Sequence, residues 1–472
     1  MPNRPNILWF CTDQQRADTI HSLGNPHIRT PNIDCLVESG VAFTRAYCTS
    51  PICTPSRASF LTGRYPRTTR ARWNANTEFP ADEVLITRLL ADSGYDCGLV
   101  GKLHIAGADK RVEPRVNDGY RVFLWSHHPM PDWPESDYTK WLAEKGESWE
   151  RHYHVPPESR HAYAGMPAEL HQTTWCAEKC IEFISRPHDG PWLMSVNIFD
   201  PHHPLDPPKE YLDRYDPDSL PLPLCREGEM ENKPKFQRIH NGRQTYGQAV
   251  SGLGYTDRQK RECTAAYYAM IELIDDQFGR IMAALEDTGQ LDNTLVIFTS
   301  DHGELMGDHG IYWKGCYFYE GLVCVPLIVS MPGIFPPHLS NALVELHDLA
   351  PTILQLAGIE VPDRMQAKSL LPILRGETDH HRDHVLCEYY RALGNAPLDA
   401  NGTMLFDGRY KICVYHESEP GELYDLQEDP GEFENLWDNP ECADLKMHML
   451  KRCFDAAVVQ TLDPWPPQMG RY

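Results

Sequence analysis

Asp292-Asn293-Thr294-Leu295-Val296-Ile297-Phe298-Thr299-Ser300-Asp301-His302-Gly303-Glu304 is a short apolar run that stops abruptly on charged and polar groups. Thr294 to Thr299 reads as a buried β run. Before it, about Cys263 to Leu285 places Tyr267, Met270, Ile271, Ile274, Phe278, Ile281 and Leu285 near one helical stripe. A helix that feeds a buried strand is the unit of an α/β sheet flanked by helices.

The same unit recurs upstream. Asn6 to Cys11 reads as a strand ending in Thr12-Asp13-Gln14-Gln15. Asp82 to Ser93 reads as a helix closed by Gly94, followed by a strand from Asp96 to Val100 ending in Gly101-Lys102-Leu103-His104. Leu170 to Ser185 is helical, and Trp192 to Phe199 is a strand ending in Asp200-Pro201-His202-His203-Pro204. In open α/β sheets ligands bind beyond the carboxyl ends of strands, so these four ends are expected to converge on one site. Pro201 to about Asp257, rich in Pro, Gly and charge, reads as a long surface excursion. After Gly376, Val385 to Tyr390, Tyr410 to Val414 and Glu422 to Tyr424 read as strands of a smaller antiparallel sheet. The expected fold is therefore α/β: a large mixed, mostly parallel sheet sandwiched by helices over 1–376, and a C-terminal antiparallel-sheet subdomain over 377–472. Asp463-Pro464-Trp465-Pro466-Pro467 cannot be helix interior and is expected to pack on the body or on a second copy of the chain.

The chain has 472 residues, 41% hydrophobic and 24% charged, which excludes whole-chain disorder and fibrous architecture. Lys plus Arg is 44 against 67 Asp plus Glu, a formal net charge of -23. Such a surface repels phosphate backbones and anionic bilayers, so neither nucleic acid nor a membrane is an expected partner. An anionic small substrate fits only where basic residues are gathered in one pocket. No secretory signal is visible from Met1 to Ile7, and no apolar run reaches the roughly 18 residues of a bilayer span. Cytoplasm is the default expectation, although removal of a leader would leave the same picture. The 15 cysteines are scattered without repeated spacing, as expected of reduced thiols; Cys176 and Cys180 lack a second pair for zinc and read as packing residues.

The sharpest local signal is Cys53-Thr54-Pro55-Ser56-Arg57-Ala58-Ser59-Phe60-Leu61-Thr62-Gly63-Arg64. A lone cysteine is most often a buried thiol. Here Pro55 suits the first turn of a helix through Ser56 to Leu61. Cys53 would then face the positive helix end with Arg57 near, a setting that stabilises an anionic nucleophile.

This stretch resembles the C-x-P-S-R signature of the type I sulfatases, members of the alkaline phosphatase superfamily. The resemblance covers most of the chain: Asp13, Pro31-Asn32-Ile33-Asp34, Gly101-Lys102-Leu103-His104, Pro201-His202, Ser300-Asp301-His302-Gly303 and Lys314 recur in the family's order. Glu422-Leu423-Tyr424-Asp425-Leu426, Asp429-Pro430 and Asn435-Leu436 resemble its usual ending. The resemblance implies that a formylglycine-generating enzyme oxidises Cys53 to Cα-formylglycine, whose hydrate is the nucleophile. It implies metal ligation by Asp13, Gln14, residue 53, Asp301 and His302. Lys102, His104, His202 and Lys314 match positions that contact sulfate and move protons, and Arg57 comes with the signature. Asn74 or Asn76 resembles a substrate-facing Asn of the choline-sulfatase and phosphonate-hydrolase branches, with Asn74 preferred.

Carboxylate and amide oxygens suit a hard divalent cation, and imidazole tolerates a wider range. Ca2+ is expected from the sulfatase majority. Gln14 and His302 stand where many members carry Asp and Asn, which lowers the anionic ligand count and leaves Mn2+ or Mg2+ open. The same two residues occur together in the phosphonate monoester hydrolase branch. The expected activity is hydrolysis of an organic sulfate monoester, carbohydrate sulfate first, then aryl or choline sulfate. A phosphonate monoester or phosphate diester hydrolase and a glycan-binding pseudoenzyme are the rivals. Trp125, Trp133, Trp141 and Trp149, with Arg121, His127 and His128 among them, either stack on the alcohol half or cover the core. His203 and His309 are weaker candidates beside motif positions.

Overall fold

The computed structural model describes residues 4–74, 76–108, 111–129, 133–156, 161–241, 254–393, 400–418 and 420–464. Its strands are β1 (Asn6–Thr12), β2 (Val41–Phe43), β3 (Ala46–Tyr47), β4 (Asp96–Gly101), β5 (Val122–Trp125), β6 (Trp192–Asn197), β7 (Thr294–Ser300), β8 (Leu327–Ser330), β9 (His338–Ser340), β10 (Val344–Glu345), β11 (Val385–Tyr390), β12 (Asn401–Phe406), β13 (Tyr410–His416) and β14 (Glu422–Asp425). Eight form one sheet in the order β5-β4-β6-β1-β7-β8-β2-β9. From β5 to β7 neighbouring strands are parallel, and β8 runs antiparallel to both β7 and β2.

The central strand β1 is buried on both faces, which is why it reads as a continuous apolar run. Ile7, Trp9 and Cys11 face the layer holding the helix Cys53–Thr62, where Trp9 meets Phe60 at 5.3 Å between ring centroids. Leu8 and Phe10 face the opposite layer, where Phe10 meets Phe278 of the helix Asp257–Asp287 at 5.3 Å. Each such fully buried side chain contributes roughly 1.5–3 kcal/mol.

Helix boundaries moved where capping overrides periodicity. The long helix starts at Asp257 rather than near Cys263, because Thr256 and Gln259 form a reciprocal capping box ahead of its charged first turns. The helix expected over 82–93 spans only Ile86–Asp92, since Leu85 remains extended. The surface excursion after Pro201 contains short helices, Lys209–Leu212 and Lys235–Asn241, and buries Tyr211 and Gln237; 242–253 lies outside the described residues.

The small sheet, β11-β12-β13-β14, is antiparallel throughout and includes a strand absent from the sequence reading, β12. Cys387, Tyr389, Met404 and Phe406 join the core of the large sheet, whereas Leu386, Leu405, Ile412 and Leu423 pack with Met449 and Cys453 of the helix Ala443–Asp455. At the seam Arg382, 6% exposed, pairs with Glu345 and Asp348, while Tyr65 Oη and Leu386 N donate to the Glu345 carboxylate at 2.7 and 2.6 Å. Asp463 pairs with Arg64 at 2.9 Å, and Trp465 to Pro467 lie outside the described residues. Among the described residues no helix is long and apolar enough to cross a membrane.

Replacing Arg382 by Leu strands two buried carboxylates, so urea unfolding should show a loss of about 3–5 kcal/mol. Retention of wild-type stability would mean that the seam does not depend on this pairing.

Candidate active site

Asp13 and Gln14 follow β1, Lys102 and His104 follow β4, His202 follows β6, and Asp301 and His302 follow β7. Because β4, β6, β1 and β7 are parallel neighbours in that order, all these residues leave the sheet along one edge. Hydrogen bonds beyond the strands hold the ends together: Lys102 N donates to Asn197 O at 3.0 Å, Asp13 N to Asp200 O at 3.2 Å and Asp301 N to Thr12 O at 3.3 Å. The approach of β4 to β6 requires Gly101, whose φ is 98° and where a Cβ would lie 1.9 Å from Asn197 O. Gln14 and His104 are also left-handed, at φ 72° and 53°, strained conformations that the surrounding contacts must impose.

The helix Cys53–Thr62 begins over this edge, after an extended Ile52. Its first turn puts Cys53 Sγ 2.9 Å from Lys314 Nζ, 3.2 Å from His302 Nε2, 3.6 Å from Asp13 Oδ1 and 3.8 Å from Lys102 Nζ. Lys102 Nζ is 2.5 Å from Asp13 Oδ2, and Lys314 Nζ donates to Gln14 Oε1 at 2.7 Å. One turn along, Arg57 Nε donates to Asp301 Oδ2 at 2.8 Å, and its Nη1 donates to Lys102 O at 2.7 Å and Asn197 Oδ1 at 3.2 Å. Its Nη2 reaches Asp13 Oδ2 at 3.4 Å. The other Asp301 oxygen accepts from Gln14 N and His302 N at 3.1 and 2.9 Å.

These contacts set the charges. Burial alone would raise the Asp13 carboxyl, but the positive charges of Lys102, Lys314 and Arg57 outweigh it and hold it well below the usual carboxylate range. Burial and Asp13 push the Cys53 thiol up, whereas Lys102, Lys314 and His302 pull harder, so it ionises more readily than a free thiol. Burial disfavours the Lys314 ammonium, yet Cys53, Asp13 and Asp301 keep it protonated. Burial, reinforced by neighbouring cations, pushes His104 and His202 well down, so both stand neutral. His302 Nδ1 lies 2.8 Å from Gly303 O; a carbonyl only accepts, so Nδ1 carries a hydrogen and Nε2 is the atom turned to the cluster, where burial and Lys314 are outweighed by Asp301 and Cys53, which raise the imidazole.

Asn74 reaches the cluster's edge, where its Oδ1 accepts from Thr54 Oγ1 at 3.4 Å, while Asn76 Oδ1 turns back to Trp73 N. His203 Nδ1 lies 3.3 Å from Gln14 Nε2. His309 stays apart, paired with Glu229 and stacked on Tyr319 at 3.8 Å. Trp133 stacks on His127 at 5.1 Å, and the His127 ring meets His104 edge-on at 4.3 Å. Trp141 and Trp149 belong to the helical layer, and Arg121 pairs with Asp96 at the opposite end of β4. Two buried carboxylates lacked any signal in spacing. Glu304 accepts from Gln14 Nε2 and from the backbone N–H groups of Met306 and Trp313, which aims Gln14 Oε1 at Lys314. Glu113, pushed up to about 8 by burial, accepts from His104 N at 2.9 Å.

The family model for sulfatases matches residues 5–359, and that for the C-terminal region of N-sulphoglucosamine sulphohydrolase matches 307–458. The chain belongs to the sulfatase family. An arylsulfatase of Clostridium perfringens is 30% identical over 93% of this chain and 91% of its own. A choline-sulfatase of Rhizobium meliloti is 30% identical over 93% and 83%. Among solved structures, the phosphonate monoester hydrolase of Agrobacterium radiobacter superposes with a TM-score of 0.84 at 27% identity, covering 97% of this chain and 96% of that one. This sulfatase is accordingly a sulfuric ester hydrolase with an α/β fold.

The sulfatase family implies a divalent metal, and the donors fit one. Asp13, Cys53, Asp301 and His302 offer ligand atoms that all lie within 4.8 Å of one another. Two carboxylates, Nε2 of His302 and the amide oxygen of Gln14 form a mainly oxygen set suited to a hard cation. Chelation of divalent metal, or Asp301→Ala, should lower nitrophenyl sulfate turnover by at least about two orders of magnitude, with elemental analysis showing the metal lost in parallel. Full activity in chelated, metal-free protein would remove Asp13, Asp301 and His302 from the role of ligands.

Proposed function

We propose that this sulfatase hydrolyses a sulfate monoester of a carbohydrate, using Cys53 converted to formylglycine by a formylglycine-generating enzyme and a divalent metal, Ca2+ before Mn2+ or Mg2+. The observation that carries the reading is the position of Cys53 Sγ, within 3.8 Å of two lysine ammonium groups, one imidazole and one carboxylate at a helix start. Sγ stands where the oxygens of the converted residue would lie. When bound, the metal favours ionisation of such an oxygen and offsets charge on the sulfate.

Lys102 and Lys314 supply fixed positive charge to the nonbridging oxygens as the sulfur–oxygen bond to the alcohol breaks. His202 serves the departing alcohol. Its Nδ1 donates to His203 O at 2.7 Å, so Nε2 is the atom that can exchange a proton. The anionic substrate raises the proton affinity of Nε2, offsetting the burial and lysine charges that keep it neutral in the free chain. His104, held neutral, is suited to take a proton during sulfate release, and Glu113 fixes its backbone. Arg57 holds the two ligand carboxylates, and Asn74 faces the substrate. Residues 1–376 carry these groups, and 377–472 would close one side of the mouth. The fifteen free cysteines support a reducing compartment, and the tail after Asp463 would serve self-association.

A phosphonate monoester or phosphate diester hydrolase is the second reading, favoured by Gln14 and His302 and by similarity to the Agrobacterium protein. Parallel rates on a sulfated saccharide, choline sulfate, a nitrophenyl sulfate, a phosphate diester and a phosphonate monoester decide between them. Highest kcat/KM on the phosphonate would overturn the sulfate assignment.

Cys53→Ala should remove turnover by orders of magnitude while leaving the unfolding transition in place. Intact mass of the active chain should fall about 18 Da below that of the cysteine form. His104→Ala should release close to one equivalent of nitrophenol per chain and then slow, with one sulfuryl group retained in the intact mass. A variant with no burst and no retained group would reject His104 as the base of the release step.

A further inference from the structure

Arg67, Arg70 and Arg72 follow the nucleophile helix in a chain whose formal net charge is -23. Arg67 and Arg72 line a cavity of ≈ 500 Å³ that none of the roles above uses. Trp73 lies beside them, and the far wall is the end of the small sheet, with Tyr390, Arg391 and Glu417. The cavity adjoins the chemistry through the next residue: Asn74 N donates to Ala392 O at 2.6 Å, and Asn74 Oδ1 accepts from Thr54, the neighbour of Cys53.

The three arginines differ in what they can offer. Arg67 is committed, 3.2 Å from Glu388 and donating to Tyr390 Oη and Ala457 O at 2.9 and 2.6 Å. It forms wall. Arg391 faces Glu417 at 3.8 Å, with both side chains exposed, a pairing worth little in water. Arg72 is exposed and enters none of the ion pairs among the described residues. Two guanidinium forks are therefore available against one solvated carboxylate, and such forks match carboxylate and sulfate oxygens in pairs. Trp73, 55% exposed, adds a flat apolar surface of the kind on which a sugar ring stacks. A solvated arginine pair is common on surfaces; this pair lines a cavity with a bared indole, one residue from the nucleophile's support.

We propose that this cavity is a subsite for a second anionic group, a carboxylate or another sulfate, on the sugar next to the one carrying the ester. The proposal rests on the sulfatase reading of Cys53 for its direction, while the subsite itself can be tested by binding.

The probes are three disaccharides with the same sulfate ester, whose neighbouring sugar bears a carboxylate, a second sulfate or no charge, together with a nitrophenyl sulfate. Wild-type protein should favour one or both charged disaccharides over the neutral one by about tenfold or more in kcat/KM, and the two charged arms identify which anion fits. Arg72→Gln with Arg391→Gln should erase that preference, mainly through KM, and leave nitrophenyl sulfate within about twofold. Calorimetry on the full chain carrying Cys53→Ala should show the same preference in Kd, and its loss with the two arginine changes. Absence of a preference in the wild type, its survival in the double variant, or an equal loss on nitrophenyl sulfate would overturn the subsite. Turnover of nitrophenyl sulfate without charge preference rejects the subsite and keeps the sulfatase reading. A Kd preference without turnover of any sulfate does the reverse.

Discussion

The buried guanidinium of Arg57 is the constraint on which the site depends. It is 1% exposed and touches Asp13, Asp301, the Lys102 carbonyl and Asn197, one group from each of the four central strand ends. Two carboxylates brought together away from water repel each other and lose hydration, and either would take up a proton if left alone. A charge that cannot be neutralised by losing a proton is the group that keeps both ionised. Arg57 lies on the same helix as Cys53, four residues on, so the group that fixes the two carboxylates also fixes Cys53 relative to them.

The rest of the electrostatics follows from that arrangement. Arg57 and Lys102 share one oxygen of Asp13, Lys314 reaches Cys53, and the imidazoles of His104 and His202 are held neutral beside these charges. The strained backbone of Gln14 is held by the Asp301 carboxylate, which accepts from its N–H, and by the Tyr267 hydroxyl, which donates to its carbonyl, while His104 N donates to Glu113, so strain at these strand ends is balanced by buried hydrogen bonds.

Strands β1, β4, β6 and β7 and their polar ends were legible because a strand buried on both faces is an unbroken apolar run with a sharp stop. The Cys53 stretch was legible as a helix start with a nearby cation, and the resemblance extended the reading to Lys314, whose isolated position carries no local signal. Glu304 was not legible, since its partner Gln14 lies 290 positions away and a buried acid looks in sequence like a solvated one. Strand β12 begins at Asn401-Gly402, a pair that favours turns and so masks the strand that follows it. Gly402 is required for another reason, the ring of Phe318, which a Cβ there would approach to 2.8 Å. The arginine cavity needed the three-dimensional meeting of a loop near residue 72 with strand ends near 390 and 416.

The burial of Cys53 has a consequence for timing. Its side chain is sealed by Lys314, 261 positions further along the chain, and by His302, 249 positions along. During synthesis the cysteine leaves the ribosome long before either partner exists. At about 5–20 residues per second the 249 positions to His302 take roughly 12–50 s. Under the proposed conversion of Cys53, the modifying enzyme would meet the thiol on an extended nascent segment, and completion of β7 and the loop after it would close the opportunity. The speed at which the later half of the chain is translated and folds would then set an upper bound on the fraction of molecules converted.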